Sequence, residues 1–227
     1  MDICMHLSHI LSIKNHSLYG HARFMLFNYF IHKSKLYLSP YCNSLWVTLR
    51  VVENKWPNFE ESFFNFNIEK ILMMPEEMME RKASDPKIIR NFNKVKTIKA
   101  NGQMIFEEQQ KGHSFAEFIA NWPSNDIIGL WAYLKKHGQR LGGNTGPYAL
   151  RALGKDTFIL SRDVEAYFRA HDIITGGIQT KSSLNAIQAS FNRWQQQCDL
   201  SLSQLSRLIA YATGDNHIHL EEVANVE

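Results

Sequence analysis

Cysteine is scarce in this chain. Cys4, Cys42 and Cys198 are the only three among 227 residues, widely spaced and odd in number. A disulfide framework is therefore not expected, and a reducing compartment is. Long apolar runs are missing as well. None approaches the length of a bilayer span, although 44% of the residues are hydrophobic, enough to fill a sizeable core. The opening stretch MDICMHLSHIL has no basic region ahead of a clean apolar segment. A secretory signal is not expected, and the cytoplasm is the expected location. Convincing strand alternation, internal repeats and low-complexity linkers are also lacking. What is present is helical periodicity, so the expected fold class is all-α.

Acidic residues are absent from one long window. Residues 127–155 hold Lys135, Lys136, Arg140, Arg151 and Lys155 and no acid. Residues 81–102 hold Arg81, Lys82, Lys87, Arg90, Lys94, Lys96 and Lys99 against Asp85 alone. The net charge is only +3, so any case for nucleic acid rests on this distribution. Solvated helix faces would account for the same runs.

Capping residues and apolar spacing divide the chain from Val51 onward. Phe59, Phe63 and Phe66 recur at spacings of four and three, one face of a helix. Ser84, Asp85 and Pro86 read as the start of a basic helix reaching about Ala100. Asn101-Gly102 reads as a polar turn before a further helix through Phe106. Ser114 caps a helix that Pro123 stops, and SNDIIGLWAYLKKHG begins with cap residues and ends on a C′ glycine, Gly138. Leu184, Ile187, Phe191 and Trp194 mark one later helix, and Leu202, Leu205, Leu208 and Ile209 another. Residues 1–50 are rich in aromatics, poor in acids and without clear periodicity.

The segment LGGNTGPYALRALGKDTFILSRDV, residues 141–164, opens on a Gly-rich turn that stands between the helices expected over 126–137 and 147–153. Its glycines allow positive φ and close approach of a ligand to the backbone. Amides at the start of the second helix lack intrahelical partners and suit a phosphate oxygen, as does the helix dipole. Gly143, Asn144, Thr145 and Gly146 are the residues expected to touch a DNA backbone. The same glycines would also serve a plain turn between two helices.

This hairpin resembles that of the helix-hairpin-helix DNA glycosylases, whose motif reads roughly L-P-G-V-G-x-x-T-A. Leu141, Gly143 and Ala149 match it, and Thr145 stands where the second glycine would be. The resemblance implies a catalytic Asp one helix and a short loop further on, where Asp163 lies. Asp163 could equally cap the helix VEAYFR. Some members of that superfamily cleave the backbone through a Lys at the position Pro147 occupies here. Proline has no amine for a Schiff base, so base release without lyase activity is expected.

KWPNFEESFFNFNIEKILMM, DPKIIRNFNKVKTIKANGQ and SFAEFIANWPSNDIIGLW narrow the likeness. They resemble the 3-methyladenine DNA glycosylase I family over residues 51–216. The resemblance implies an all-α helix-hairpin-helix glycosylase domain there, with the hairpin at 139–148. Residues 1–50 would be an atypical N-terminal segment and 217–227 a tail. It further implies hydrolysis of the bond between deoxyribose and 3-methyladenine or a related alkylated purine, with double-stranded DNA as partner and a monomeric enzyme. Aromatic walls suit a flat cationic base. Trp131, Tyr148 and Tyr211 are the candidates, and core packing is the alternative for each.

The chain departs from the family in two places. The Glu and Trp expected in the pocket would fall near Tyr41 and Leu49, and neither residue type is there; Trp46 is a nearby aromatic. Family members also hold zinc through an N-terminal Cys and His and a C-terminal His-x-x-x-Cys. Here Cys4, His16, His21, His217 and His219 do not make a full set, because no Cys follows the tail histidines. No metal and no cofactor are therefore expected. A DNA-binding relative without catalysis is the rival reading, and a helical protein-interaction module a third.

Overall fold

The computed structural model describes residues 54–88 and 90–213. The expected 1–50 segment, the 217–227 tail and the five possible zinc ligands lie outside them. Among the described residues every regular element is helical and no strand occurs.

Helix α1 covers residues 54–62. It does not run on to Phe66 as the phenylalanine spacing predicts. Phe64, Asn65 and Phe66 form a left-handed turn with φ of 55°, 52° and 56°. Left-handed backbone costs a residue other than glycine about 1–2 kcal/mol. Aromatic burial offsets that cost. Phe59, Phe63 and Phe66 are all buried, with Phe63 stacked between the other two and Trp56 against Phe66. The apolar spacing was met by a helix plus a turn, because periodicity reports which residues face inward and not the hand of the backbone between them.

Two short helices come next, α2 (Ile68–Leu72) and α3 (Glu76–Ser84), and both pack on the long helix α4 (Phe92–Gln109). Ser84 and Asp85 end α3 and do not start α4. Asp85 instead closes a local turn by accepting from Lys87 N–H at 2.8 Å. The N-cap of α4 is Asn91, whose side chain accepts from Lys94 N–H. Asn101 and Gly102 do not form a turn either; both are buried inside α4. Helical propensity disfavours that pair mid-helix, and tertiary partners override it.

Helix α5 (Phe115–Asn121) begins with a full capping box between Ser114 and Glu117. Helix α6 (Ile127–His137) ends at Gly138, which is extended rather than left-handed. Then come α7 (Thr145–Ala152), α8 (Arg162–Ala170), α9 (Lys181–Gln197) and α10 (Leu202–Thr213). Helix α8 packs chiefly on α10, and α9 packs on α6. Between α7 and α8 the chain runs extended, with Thr157, Phe158, Ile159 and Leu160 all buried. Phe158 stacks on Phe191 of α9 at 4.2 Å, and Phe191 in turn meets Phe168 and Trp194. This aromatic core fixes the segment that leads into α8.

Several bases of the two charged windows are internal fastenings. Lys94 is 8% exposed, and Lys99 Nζ donates to the Met74 carbonyl. Arg151 donates to Thr157 O and Ser206 Oγ, and Lys155 holds the carbonyls of Ala120 and Trp122 at the end of α5. Burial pushes the Lys155 amine below its usual range.

Glu108, at the end of α4, is the most heavily engaged acid among the described residues. Its side chain is 2% exposed and receives Lys111 Nζ and the Tyr133 hydroxyl, with His113 Nε2 at 3.4 Å. Burial by itself would raise its pKa; the hydrogen bonds from Lys111 and Tyr133, with the Lys111 charge, outweigh that and hold the carboxyl below the usual range. Burial, then the Glu108 carboxylate, push the Tyr133 phenol well up. A depressed carboxylate contributes stability above its unfolded pKa, which is lost as pH falls through the folded value. Unfolding free energy should therefore drop on acidification below roughly pH 4.5. Glu108→Gln should flatten that drop while costing about 1–3 kcal/mol at neutral pH, measured by urea unfolding.

Candidate nucleic-acid interface

The polypeptide between α6 and α7 is a helix-hairpin-helix turn whose shape is fixed from beneath. After Gly138, the side chain of Asn101 grips the next peptide. Its Oδ1 accepts Gln139 N–H at 2.7 Å and its Nδ2 reaches the Gln139 carbonyl at a long 3.5 Å. Asn101 is 0% exposed, so its amide forms the floor of the hairpin. Arg140 follows with φ of 59°, and Leu141 is buried at 1%. Thr145 N–H then closes on the Gly142 carbonyl at 3.3 Å, and α7 begins.

Two glycines have separate reasons. Gly143 has φ of 61°, and a Cβ there would meet nothing within 4 Å. It is exposed on the rim, and its requirement is conformational. Gly146 is buried, and a Cβ there would lie 2.6 Å from the Leu141 carbonyl oxygen. Its requirement is space, since backbone occupies the place of a side chain.

The four residues expected to touch DNA divide accordingly. The amides of Gly143 and Asn144 precede α7 and donate to no acceptor among the described residues. Thr145 N–H is taken by the turn. The buried Gly146 holds the hairpin together. The Asn144 side chain points inward, donating from Nδ2 to the Leu160 carbonyl at 2.8 Å. Pro147 sits buried in the first turn of α7, where its missing N–H costs nothing. Beside the rim, Lys135, Lys136, His137 and Arg140 are exposed. Of the lysines and arginines in residues 127–155, Lys135, Lys136 and Arg140 face water, whereas Arg151 and Lys155 serve the interior.

Asp163 is the second residue of α8, and the helix is capped by Ser161, which accepts from Val164 N–H. The capping role suggested by sequence therefore belongs to Ser161. The Asp163 carboxylate is half-buried and makes no hydrogen bond or ion pair among the described residues. It stands at the positive end of the helix dipole, a setting that favours an anion.

The three candidate pocket aromatics are not joined by any ring contact among the described residues. Trp131 is 8% exposed, packs edge-on to Phe158 at 4.7 Å and donates its N–H to Thr157 Oγ1. Tyr148 is half-buried on α7, and burial pushes its phenol up. Tyr211 is 51% exposed in the last turn of α10. Sequence reasoning missed Asn101, taking it for a turn residue. The available signal was an amide flanked on both sides by helical apolar spacing. Among the described residues no cluster of three or more His, Cys, Asp or Glu could hold a metal, and no helix is long and apolar enough to cross a membrane.

Among the described residues the domain is all-α, and its helix-hairpin-helix turn carries unbonded amides beside exposed bases, an arrangement suited to an anion. Residues 41–149 match the model of the methyladenine glycosylase family, a span that begins inside the atypical N-terminal segment and includes the hairpin but not Asp163. Across that span the chain is similar to the methyladenine glycosylase family. It is 32% identical over 74 residues to DNA-3-methyladenine glycosylase 1 of Escherichia coli (strain K12), a match covering 33% of this chain and 38% of that protein. The matched part thus spans about two fifths of the curated relative's length. A crystal structure of 3-methyladenine DNA glycosylase I aligns with a TM-score of 0.47 at 21% identity, covering 68% of this chain and 89% of that one.

Backbone crowding makes Gly146 the more sensitive hairpin position for stability. Gly146→Ala should cost about 2 kcal/mol or more, against about 1 kcal/mol for Gly143→Ala, compared by urea unfolding. Gly143→Lys adds positive charge at an open rim position. It should nevertheless weaken duplex binding, because its side chain stands where a phosphate would approach. Tighter binding by a folded Gly143→Lys protein, titrated across salt concentrations, would make the rim only a bend.

Proposed function

We propose that this chain is a monofunctional DNA glycosylase that releases 3-methyladenine or a related alkylated purine from double-stranded DNA. The observation that carries the reading is the hairpin inside the family match, with the Gly143 and Asn144 amides open beside exposed Lys135, Lys136 and Arg140. The open amides suit one or two phosphate oxygens, and the bases add the salt-dependent attraction of any duplex binder. The protein acts as a monomer in the cytoplasm in this reading.

An N3-alkylated adenine is cationic, so its glycosidic bond is already weakened. The protein must draw the nucleotide from the stack and stabilise the positive charge that then develops on the sugar. The C1′–N9 bond breaks with its electron pair passing to the base, which leaves neutral. The sugar becomes an oxocarbenium ion. In this reading the Asp163 carboxylate faces that cation, takes a proton from the attacking water and leaves a hydroxyl on C1′. No step needs a metal or a cofactor. Pro147 offers no amine, so the reaction stops at an abasic site.

Tyr41 and Leu49, where the resemblance expects Glu and Trp, favour a second reading: a DNA-binding relative without catalysis. One experiment separates the two. Methylated duplex is incubated with the protein and the released bases are chromatographed. Free 3-methyladenine supports the enzyme, and binding without release supports the relative. Strand breaks should appear only after hot alkali; a borohydride-trappable adduct would contradict the monofunctional reading. Asp163→Asn should slow single-turnover release about a hundredfold with duplex affinity nearly unchanged.

A further inference from the structure

We infer that Asn144 is a positioning residue that ties the DNA-gripping hairpin to the carboxylate of Asp163; this rests on the glycosylase reading of the site. Asn144 is the N-cap position of α7, yet its side chain makes no capping bond there. An Asn at an N-cap ordinarily accepts from the helix it begins. Here Nδ2 crosses to the Leu160 carbonyl, 2.8 Å away and 16 residues on. Leu160 is 5% exposed and directly precedes Ser161, the cap of α8, with Asp163 in the first turn beyond.

The link can transmit position because both of its ends are stiff. On one side, Asn101 clamps Gln139 and Gly146 lies against the Leu141 carbonyl, so the hairpin cannot drift. On the other, Thr157, Phe158, Ile159 and Leu160 are all buried, with Phe158 stacked on Phe191. The bond therefore sets the distance between the amides that would take a phosphate and the carboxylate that would meet C1′ of a nucleotide on the same strand. A small misplacement of a reacting group is costly in rate even where binding is intact.

The test is a double-mutant cycle on the full chain, read by single-turnover release of 3-methyladenine and by affinity for undamaged duplex. Asn144→Ala should slow release about tenfold or more, a larger change than it makes in affinity. On the Asp163→Asn background the same change should add less than about a twofold effect, because Asn144 acts through Asp163. Asn144→Ser keeps a good N-cap but is too short to reach Leu160, and it serves if the alanine protein does not fold. Additive losses, or a loss of affinity with the rate intact, would overturn the coupling and leave the glycosylase reading standing. A wild-type protein that binds duplex but releases no base overturns both.

Discussion

The grip of the Asn101 side chain on the Gln139 peptide is the constraint on which the rest of the candidate site depends. A hairpin that offers amides to a ligand must leave its rim unbonded and still not collapse. Buried polar backbone needs partners. Asn101 supplies them from the interior of α4, at the point where α6 has ended and α7 has not begun. With the base of the turn satisfied in this way, Leu141 can be buried and Gly146 can pass against its carbonyl. The amides of Gly143 and Asn144 are left without an acceptor among the described residues.

The same helix organises the opposite corner through Glu108. One carboxylate there gathers Lys111, Tyr133 and His113, and joins α4 to α6 by a charge held at 2% exposure. Such an arrangement is costly unless the charge is paired and hydrogen-bonded, which Lys111 and Tyr133 achieve at Oε1. Helix α6 is thus fastened to α4 at two places: through Tyr133 along its length and through the residue just past its end. The hairpin inherits that rigidity. Its exposed bases, Lys135, Lys136 and Arg140, are attached to a frame that does not need them for its own stability.

Charge in this chain divides by burial rather than by position along the sequence. Lys94, Lys99, Arg151 and Lys155 belong to the two basic windows, and each is engaged with the protein's own groups. Long basic side chains do this well, because the stem packs on apolar surface while the head reaches a carbonyl. A basic window in a helical protein therefore overstates the charge available to a partner. What remains exposed is Lys135, Lys136 and Arg140 beside the hairpin, and Arg81, Lys87, Arg90 and Lys96 in the other window.

Capping chemistry was legible from sequence wherever it is local. Ser114 with Glu117, the stop at Trp122–Pro123, the end of α6 at Gly138 and the apolar stripes of α9 and α10 all arise from spacings of a few residues, except that Leu208, expected in the α10 stripe, is 54% exposed. The all-α class and the hairpin itself rest on the same short-range signals. Long-range contacts decided the rest. Asn101 and Gly102 lie mid-helix because a partner 38 residues away satisfies the amide. The turn at Phe64–Phe66 is left-handed because three rings must reach one core. Ser161 and not Asp163 caps α8, which leaves the carboxylate unengaged, and Asn144 turns inward to Leu160 although Gly143 beside it is exposed. Sequence spacing determines which side of a helix is apolar. Which polar group meets which carbonyl across the core depends on distances that exist only once the helices have packed.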